Sequence, residues 1–270
     1  MTTRAGGVKA AQLADLALHM AGREVAGRYR GSFGGLTWTL LTPVLMLTIY
    51  TFVFSEIFGA RWPDLGPGGE GPAGFALMVF GGMLLHGLLG EGVGRAPGLI
   101  LANANFVKKT RFPLEILAVS QLLAGVAQLL PMLVVLLLFQ TWLFGPPPLT
   151  ALLFPLILLP LCLFVLGLMW AFSALTVYFR DLSQLTGPLV TALFFLSPIL
   201  YPVSAVPDML RPFMNLNPLT FAIEAGRGVL LRGELPAAGA YLVYLALSVV
   251  FVLAALALFR ALKDGFADAI

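Results

Sequence analysis

The chain has 270 residues, 59% of them hydrophobic and only 11% charged, with a mean hydropathy of +0.95. Soluble domains carry about 25% charged residues, so a water-soluble enzyme is disfavoured, and at about 20 apolar residues per crossing this length holds five to seven membrane spans with no room for a soluble catalytic domain. Sixteen basic and 13 acidic residues leave a net charge of +3, too mild an excess to point to nucleic acid, and the one cysteine, Cys162, has no partner for an intrachain disulfide.

Residues 1–35 carry Arg4, Lys9, Arg23, Arg28 and Arg30 and no long apolar run, so a secretory signal is not supported and the N-terminus is expected in the cytoplasm. Within them Leu13, Leu16 and Met20 recur at helical spacing, while Asp15, His19, Arg23 and Glu24 fall mostly elsewhere around the wheel. That pattern predicts an amphipathic interface helix on the cytoplasmic face. Apolar runs follow at 36–58, 73–94, 115–143, 150–178, 185–203 and 237–259, each near or above the length of a spanning helix.

The expected fold is therefore an all-α integral membrane protein, a single transmembrane domain over 1–270. Spans one to five occupy 36–203, an external segment 204–236, and the last span and a cytoplasmic tail 237–270. In this arrangement 12 of the 16 basic residues lie inside and only Arg61, Arg211, Arg227 and Arg232 outside, as the positive-inside rule requires.

The 204–236 segment is cut by Pro207, Pro212 and Pro218 into pieces too short to cross, which predicts two short re-entrant or interfacial helices. Asn217 before Pro218 is a helix start, with Asn as N-cap and Pro at the first helical position; the helix is expected to run to Leu231 and stop at Gly233.

The chain lacks a GxxxxGK[ST] phosphate loop, an HExxH pair, a CxxC and a GxSxG, so no catalytic residue and no metal ligand set is proposed. The span centres lack Asp, Glu, Lys and Arg, which disfavours a proton-driven carrier. Glu91 and Arg95, at i and i+4, read as an interfacial ion pair rather than a relay. His86 either lines a pore or, the better reading, packs or hydrogen-bonds at a helix interface.

Three groups of residues invite a binding role, each with a plainer alternative. Tyr50, Phe54 and Phe58 recur every four residues along the first span; such a stripe either stacks on the C–H faces of sugar rings or packs against other spans and lipid. Trp62, just beyond it, reads as an interfacial belt residue. Arg28 and Arg30, at the water boundary before the first span, either attract an anionic phosphate or pyrophosphate head or serve as orientation signals. Lys108, Lys109 and Arg111, flanked by Phe106 and Phe112, offer a partner two aromatic anchors and a charged rim, or simply hold their loop inside. Arg180 and Asp181 are a second contact or a charge pair.

Four segments resemble the membrane subunit of type 2 ABC exporters, in the branch that exports O antigen, capsule and teichoic acid. They are Arg23-Glu-Val-Ala-Gly-Arg-Tyr-Arg-Gly-Ser-Phe-Gly-Gly-Leu-Thr-Trp-Thr-Leu-Leu-Thr-Pro43, Val107-Lys-Lys-Thr-Arg-Phe-Pro-Leu-Glu-Ile-Leu117, Tyr178-Phe-Arg-Asp-Leu182 and Leu216-Asn-Pro-Leu-Thr-Phe-Ala-Ile-Glu-Ala-Gly-Arg-Gly-Val-Leu-Leu231. Each is short, and their order along nearly the whole chain is what makes them specific.

The resemblance implies a permease in the bacterial inner membrane, multi-pass with both termini cytoplasmic. It implies a second copy of the chain and a pair of ABC ATPase subunits, with ATP and Mg held by those partners and no cofactor here. It also implies a coupling helix in the Asn103–Pro113 loop and a lipid-linked glycan as cargo. Within the same fold the cargo is alternatively a drug, haem or another lipid. A different class, an intramembrane lipid-processing protein, should carry paired polar catalytic residues at membrane depth, and none is found.

Overall fold

The computed structural model describes residues 2–29, 37–53, 57, 62, 71–108 and 112–270, and among these every regular element is helical. In chain order the helices are α1 (Thr2–Tyr29), α2 (Thr37–Phe52), α3 (Pro72–Arg95), α4 (Gly98–Leu101), α5 (Ala104–Val107), α6 (Glu115–Phe144), α7 (Phe154–Tyr178), α8 (Leu182–Leu196), α9 (Arg211–Leu216), α10 (Pro218–Arg227), α11 (Ala238–Lys263) and α12 (Phe266–Ala269). Four stretches are long and apolar enough to cross a membrane: Ala73–Arg95, Glu115–Phe144, Leu149–Tyr178 and Ala238–Lys263. Two of the six expected spans are shorter apolar helices, Leu40–Phe52 and Leu182–Leu196.

The shortening of the fifth expected span, 185–203, has a local cause. Pro198 disfavours helical geometry in the residue before it, and Ser197 is extended at φ −102°, ψ 152°, so α8 ends at Leu196.

Helix α3 is the centre of the bundle. Of its apolar window 78% is buried, against 28–39% for the other three long helices, whose outer faces remain open to lipid. Leu84, Leu85, Leu88 and Leu89 of α3 pack with Leu161, Val165 and Met169 of α7, Leu117 of α6 and Ile223 of α10. Lipid is as apolar as leucine, so such contacts stabilise through close fit rather than by leaving water. At Gly167, for example, a Cβ would stand 2.7 Å from the Phe251 ring, so the missing side chain is what lets α7 and α11 touch.

The ends assigned to the cytoplasm gather at one end of the bundle. Lys263 Nζ lies 2.9 Å from Glu115 Oε1, the Arg260 Nε lies 3.4 Å from the same oxygen, and Tyr178 donates its hydroxyl to the Leu262 carbonyl at 2.7 Å. Helix α1 packs along α6. Its protein-facing stripe is Ala17 and Ala21 with Met20, Glu24 and Arg28, whereas Leu13 is exposed.

At the opposite end the expected cap at Asn217 is formed: its Oδ1 accepts from the Leu219 N–H at 3.0 Å with Pro218 at the first helical position. The helix does not continue as α to Leu231. It widens into a π turn over Gly228–Arg232 and stops at Gly233, whose φ of 75° and ψ of 17° are left-handed geometry that glycine adopts at no steric cost.

Candidate functional site

A groove runs along the bundle between α1, α2, α3 and α6. Its charged end is a cavity of about 610 Å3 walled by Arg28, by Leu84, Gly87, Leu88, Glu91 and Arg95 of α3, and by Gly125, Gln128, Leu129 and Met132 of α6. Gly87, Gln128 and Met132 also border a second cavity of about 500 Å3, lined further by Trp38, Thr42, Pro43, Met46 and Tyr50 of α2 and by Phe80, Met83 and His86 of α3. The shared walls set the two cavities side by side along the groove, one polar and the other aromatic.

Four charges close a ring at the polar end. Arg28 Nε is 3.8 Å from Glu24, the Arg28 guanidinium pairs with Glu91, Glu91 lies 3.5 Å from Arg95 Nε, and Arg95 Nη1 is 2.5 Å from Glu24. Arg28 also donates to the side-chain oxygen of Gln128. The spacing of Glu24 and Arg28 by four residues on α1, and of Glu91 and Arg95 by four on α3, presents two like-patterned pairs that cross-pair. One set of contacts thus fastens α1 to both α3 and α6.

Further along, Tyr50 lines the aromatic part of the groove and packs against a small cluster of Trp62, Phe75, Met78 and Val79. Phe54 and Phe58 of the same stripe lie outside the described residues, as do Arg30, Lys109 and Arg111. His86 borders the groove with its Nε2 3.1 Å from the Val190 carbonyl of α8 and its ring edge-on to Phe194, so it is a hydrogen-bonded interface residue with one face on the cavity.

In the Asn103–Pro113 loop, Phe106 and Phe112 are half-buried and stack on each other, centroids 4.4 Å apart and planes at 21°. Lys108 is exposed beside them. Arg180 and Asp181 are both exposed, and among the described residues neither forms an ion pair, so they are not a charge pair with each other.

Two expectations are corrected by the structure. Trp62 is not a belt residue: it is 2% exposed and lies beneath the Arg227 guanidinium, 4.5 Å from its ring centroid. Arg227, counted above only as an outside charge, is fully buried. Its Nε donates to the Met78 carbonyl at 2.8 Å, Nη1 to the Pro198 carbonyl at 2.5 Å and to Glu224 Oε1 at 3.1 Å, and Nη2 to the Ile199 carbonyl at 2.8 Å. Burial pulls this guanidinium down to about 10, opposed by the charge and hydrogen bond of Glu224, so it stays charged at neutral pH.

Sequence reasoning also missed Glu24 and Gln128 as groove residues. The available signals were the i, i+4 spacing of Glu24 with Arg28 and the i, i+3 spacing of Glu224 with Arg227.

The pattern of ABC-2 type transporters matches residues 16–231. The chain is 30% identical over 265 residues to the O-antigen export system permease protein RfbA of Myxococcus xanthus, covering 96% of each chain. It is 25% identical over 258 residues to a protein of the same description from Klebsiella pneumoniae, covering 95% of each. With the polysialic acid transport protein KpsM of Escherichia coli it shares 24% identity over 247 residues, 90% of this chain and 92% of the relative. A match over most of the chain, on a helical bundle with several apolar helices, makes this protein a multi-pass membrane transport subunit that belongs to the ABC-2 type transporter family.

Proposed function

We propose that the protein is the permease subunit of an ABC transporter that exports a cell-surface polysaccharide, a lipid-linked O antigen or capsular glycan, across the bacterial inner membrane. The observation that carries this reading is the full-length similarity to an O-antigen export permease. The groove supports it physically, because a polar end and an aromatic continuation suit an amphiphile with a phosphate head and a sugar chain.

In this reading two copies form the path between them, each with six spans, counting α2 and α8, and with N- and C-termini in the cytoplasm. ATP and Mg are bound by a separate pair of ATPase subunits, which dock on the loop of Phe106, Lys108, Lys109, Arg111 and Phe112. The anionic head of the cargo reaches Arg28 and Arg30 near α1, taking Arg28 from Glu91 or Glu24. The sugars then slide along Tyr50, Phe54 and Phe58, since flat aromatic faces bind successive rings weakly and without strict choice.

Deleting the gene from its host should abolish surface polysaccharide while lipid-linked glycan accumulates inside, and restoring the chain with its ATPase should reverse both. Unchanged surface glycan, with loss of export of a drug, haem or lipid instead, would overturn the assignment of cargo.

A further inference from the structure

The Arg227 socket is built from four separate parts of the chain. Met78 comes from α3, Pro198 and Ile199 from the turn after α8, Glu224 from α10, and Trp62 from the segment after α2. The α3 wall has been hollowed to admit it: a Cβ at Gly82 would stand 2.7 Å from Arg227 Nη2, whereas one at the neighbouring Gly81 would meet only ordinary contacts at 3.6–3.8 Å. All the donors used are satisfied by carbonyls or a carboxylate in fixed directions, a geometry that a planar guanidinium fits and a lysine ammonium does not.

The socket's other side is the groove. Trp62 packs with Phe75, Met78 and Val79, and Tyr50 and Met83, both groove-lining, pack against that cluster. A buried cation with all three of its nitrogens hydrogen-bonded therefore stands behind the aromatic wall while also holding α10 and the end of α8.

We infer that Arg227 is a positioning residue for transport: through its socket it fixes the aromatic wall at Tyr50, the end of α8 and α10 as one rigid unit with α3. The contacts stand on their own, and the inference rests on the export reading only for its assay. It makes no contact with cargo in this role. It acts by keeping Trp62, and through it Tyr50, in one place while the rest of the path changes shape.

The test uses the full transporter with its ATPase in three variants, Arg227→Lys, Gly82→Ala and Gly81→Ala. In each variant and in the parent, Cys162→Ala and Val79→Cys report on the cluster through labelling by a maleimide. Arg227→Lys keeps the charge, and Gly82→Ala pushes the guanidinium out without altering it. Both should assemble and hydrolyse ATP, lose at least about tenfold in export, and label Val79→Cys at least about tenfold faster, as expected for two or more lost charge-assisted hydrogen bonds. Gly81→Ala should match the parent.

Parental export by assembled Arg227→Lys and Gly82→Ala would overturn the inference. So would failure of both to assemble while Gly81→Ala assembles, because the socket would then serve folding only. Absence of glycan export by the parent would instead overturn the reading of cargo, while the labelling and ATPase results would still decide the positioning role.

Discussion

Arg28 shares one guanidinium between Glu91 on α3 and Gln128 on α6, and the side chains of the Arg28–Glu91 pair are only 13% and 19% exposed. Removing the Glu91 charge leaves two cations facing each other with one carboxylate between them. Glu91→Gln should therefore destabilise the protein by about 1–3 kcal/mol, below the full cost of breaking a deeply buried pair because water still reaches the ring. A lower melting temperature in detergent than the parent checks this, and an unchanged one would mean that Gln128 and Glu24 suffice. Tyr50 poses the complementary case. Tyr50→Leu keeps apolar bulk but removes the flat face, so surface glycan should fall while protein abundance holds. Loss of abundance would assign Tyr50 to packing on the Trp62 cluster, and normal export would remove it from the path.

At the scale of elements, α10 depends on the residue that caps it. Asn217 accepts from Leu219 and also donates to Ser197 Oγ at 2.9 Å and to the Leu196 carbonyl at 3.2 Å, so it caps one helix and ties down the end of another. Asn217→Ala should cost about 1–2 kcal/mol, read as a fall in thermal stability of the assembled transporter. The loop after α5 makes a second prediction. Replacing Phe106 and Phe112 with Ala and Lys108 with Glu removes a stacked pair and reverses a rim charge, and recovery of the ATPase in a pull-down should drop. Undiminished recovery would leave the loop as a topology signal.

These elements also mark the limit of legibility in the sequence. The cap at Asn217, Pro218 at the first helical position and the stop at Gly233 were legible because each depends on its immediate neighbours. The π turn and the end of α8 at Ser197 were not anticipated, although Pro198 carried the signal for the latter. The Arg227 socket was hidden for another reason. Its carbonyl partners lie 28, 29 and 149 residues away, and carbonyls leave no trace in residue identity. The ring of charges was hidden likewise, because it closes only when α1 is brought against α3, joining Arg28 to Glu91 and Glu24 to Arg95, the latter pair 71 residues apart.

Over the whole molecule, the basic ends of α3 and α11 and the acidic start of α6 meet on one side, with the Arg227 socket toward the other. Reporters fused after Pro63 and after Lys108 should accordingly lie on opposite faces of the membrane, the first external and the second internal. The same face for both would remove α3 from the set of spans, and an internal first reporter with an external second would remove α2. The ring of Glu24, Arg28, Glu91 and Arg95 then has a consequence for traffic through the groove. Two positive and two negative charges in alternation sum to zero, and the potential of such a square dies away faster than that of a single charge or a dipole. A charged polymer sliding past is neither held nor repelled at a distance. On the export reading proposed above, only a compact anion small enough to take a carboxylate's place would meet a strong attraction, and on contact alone, so the ring would distinguish the head of such a cargo from its body.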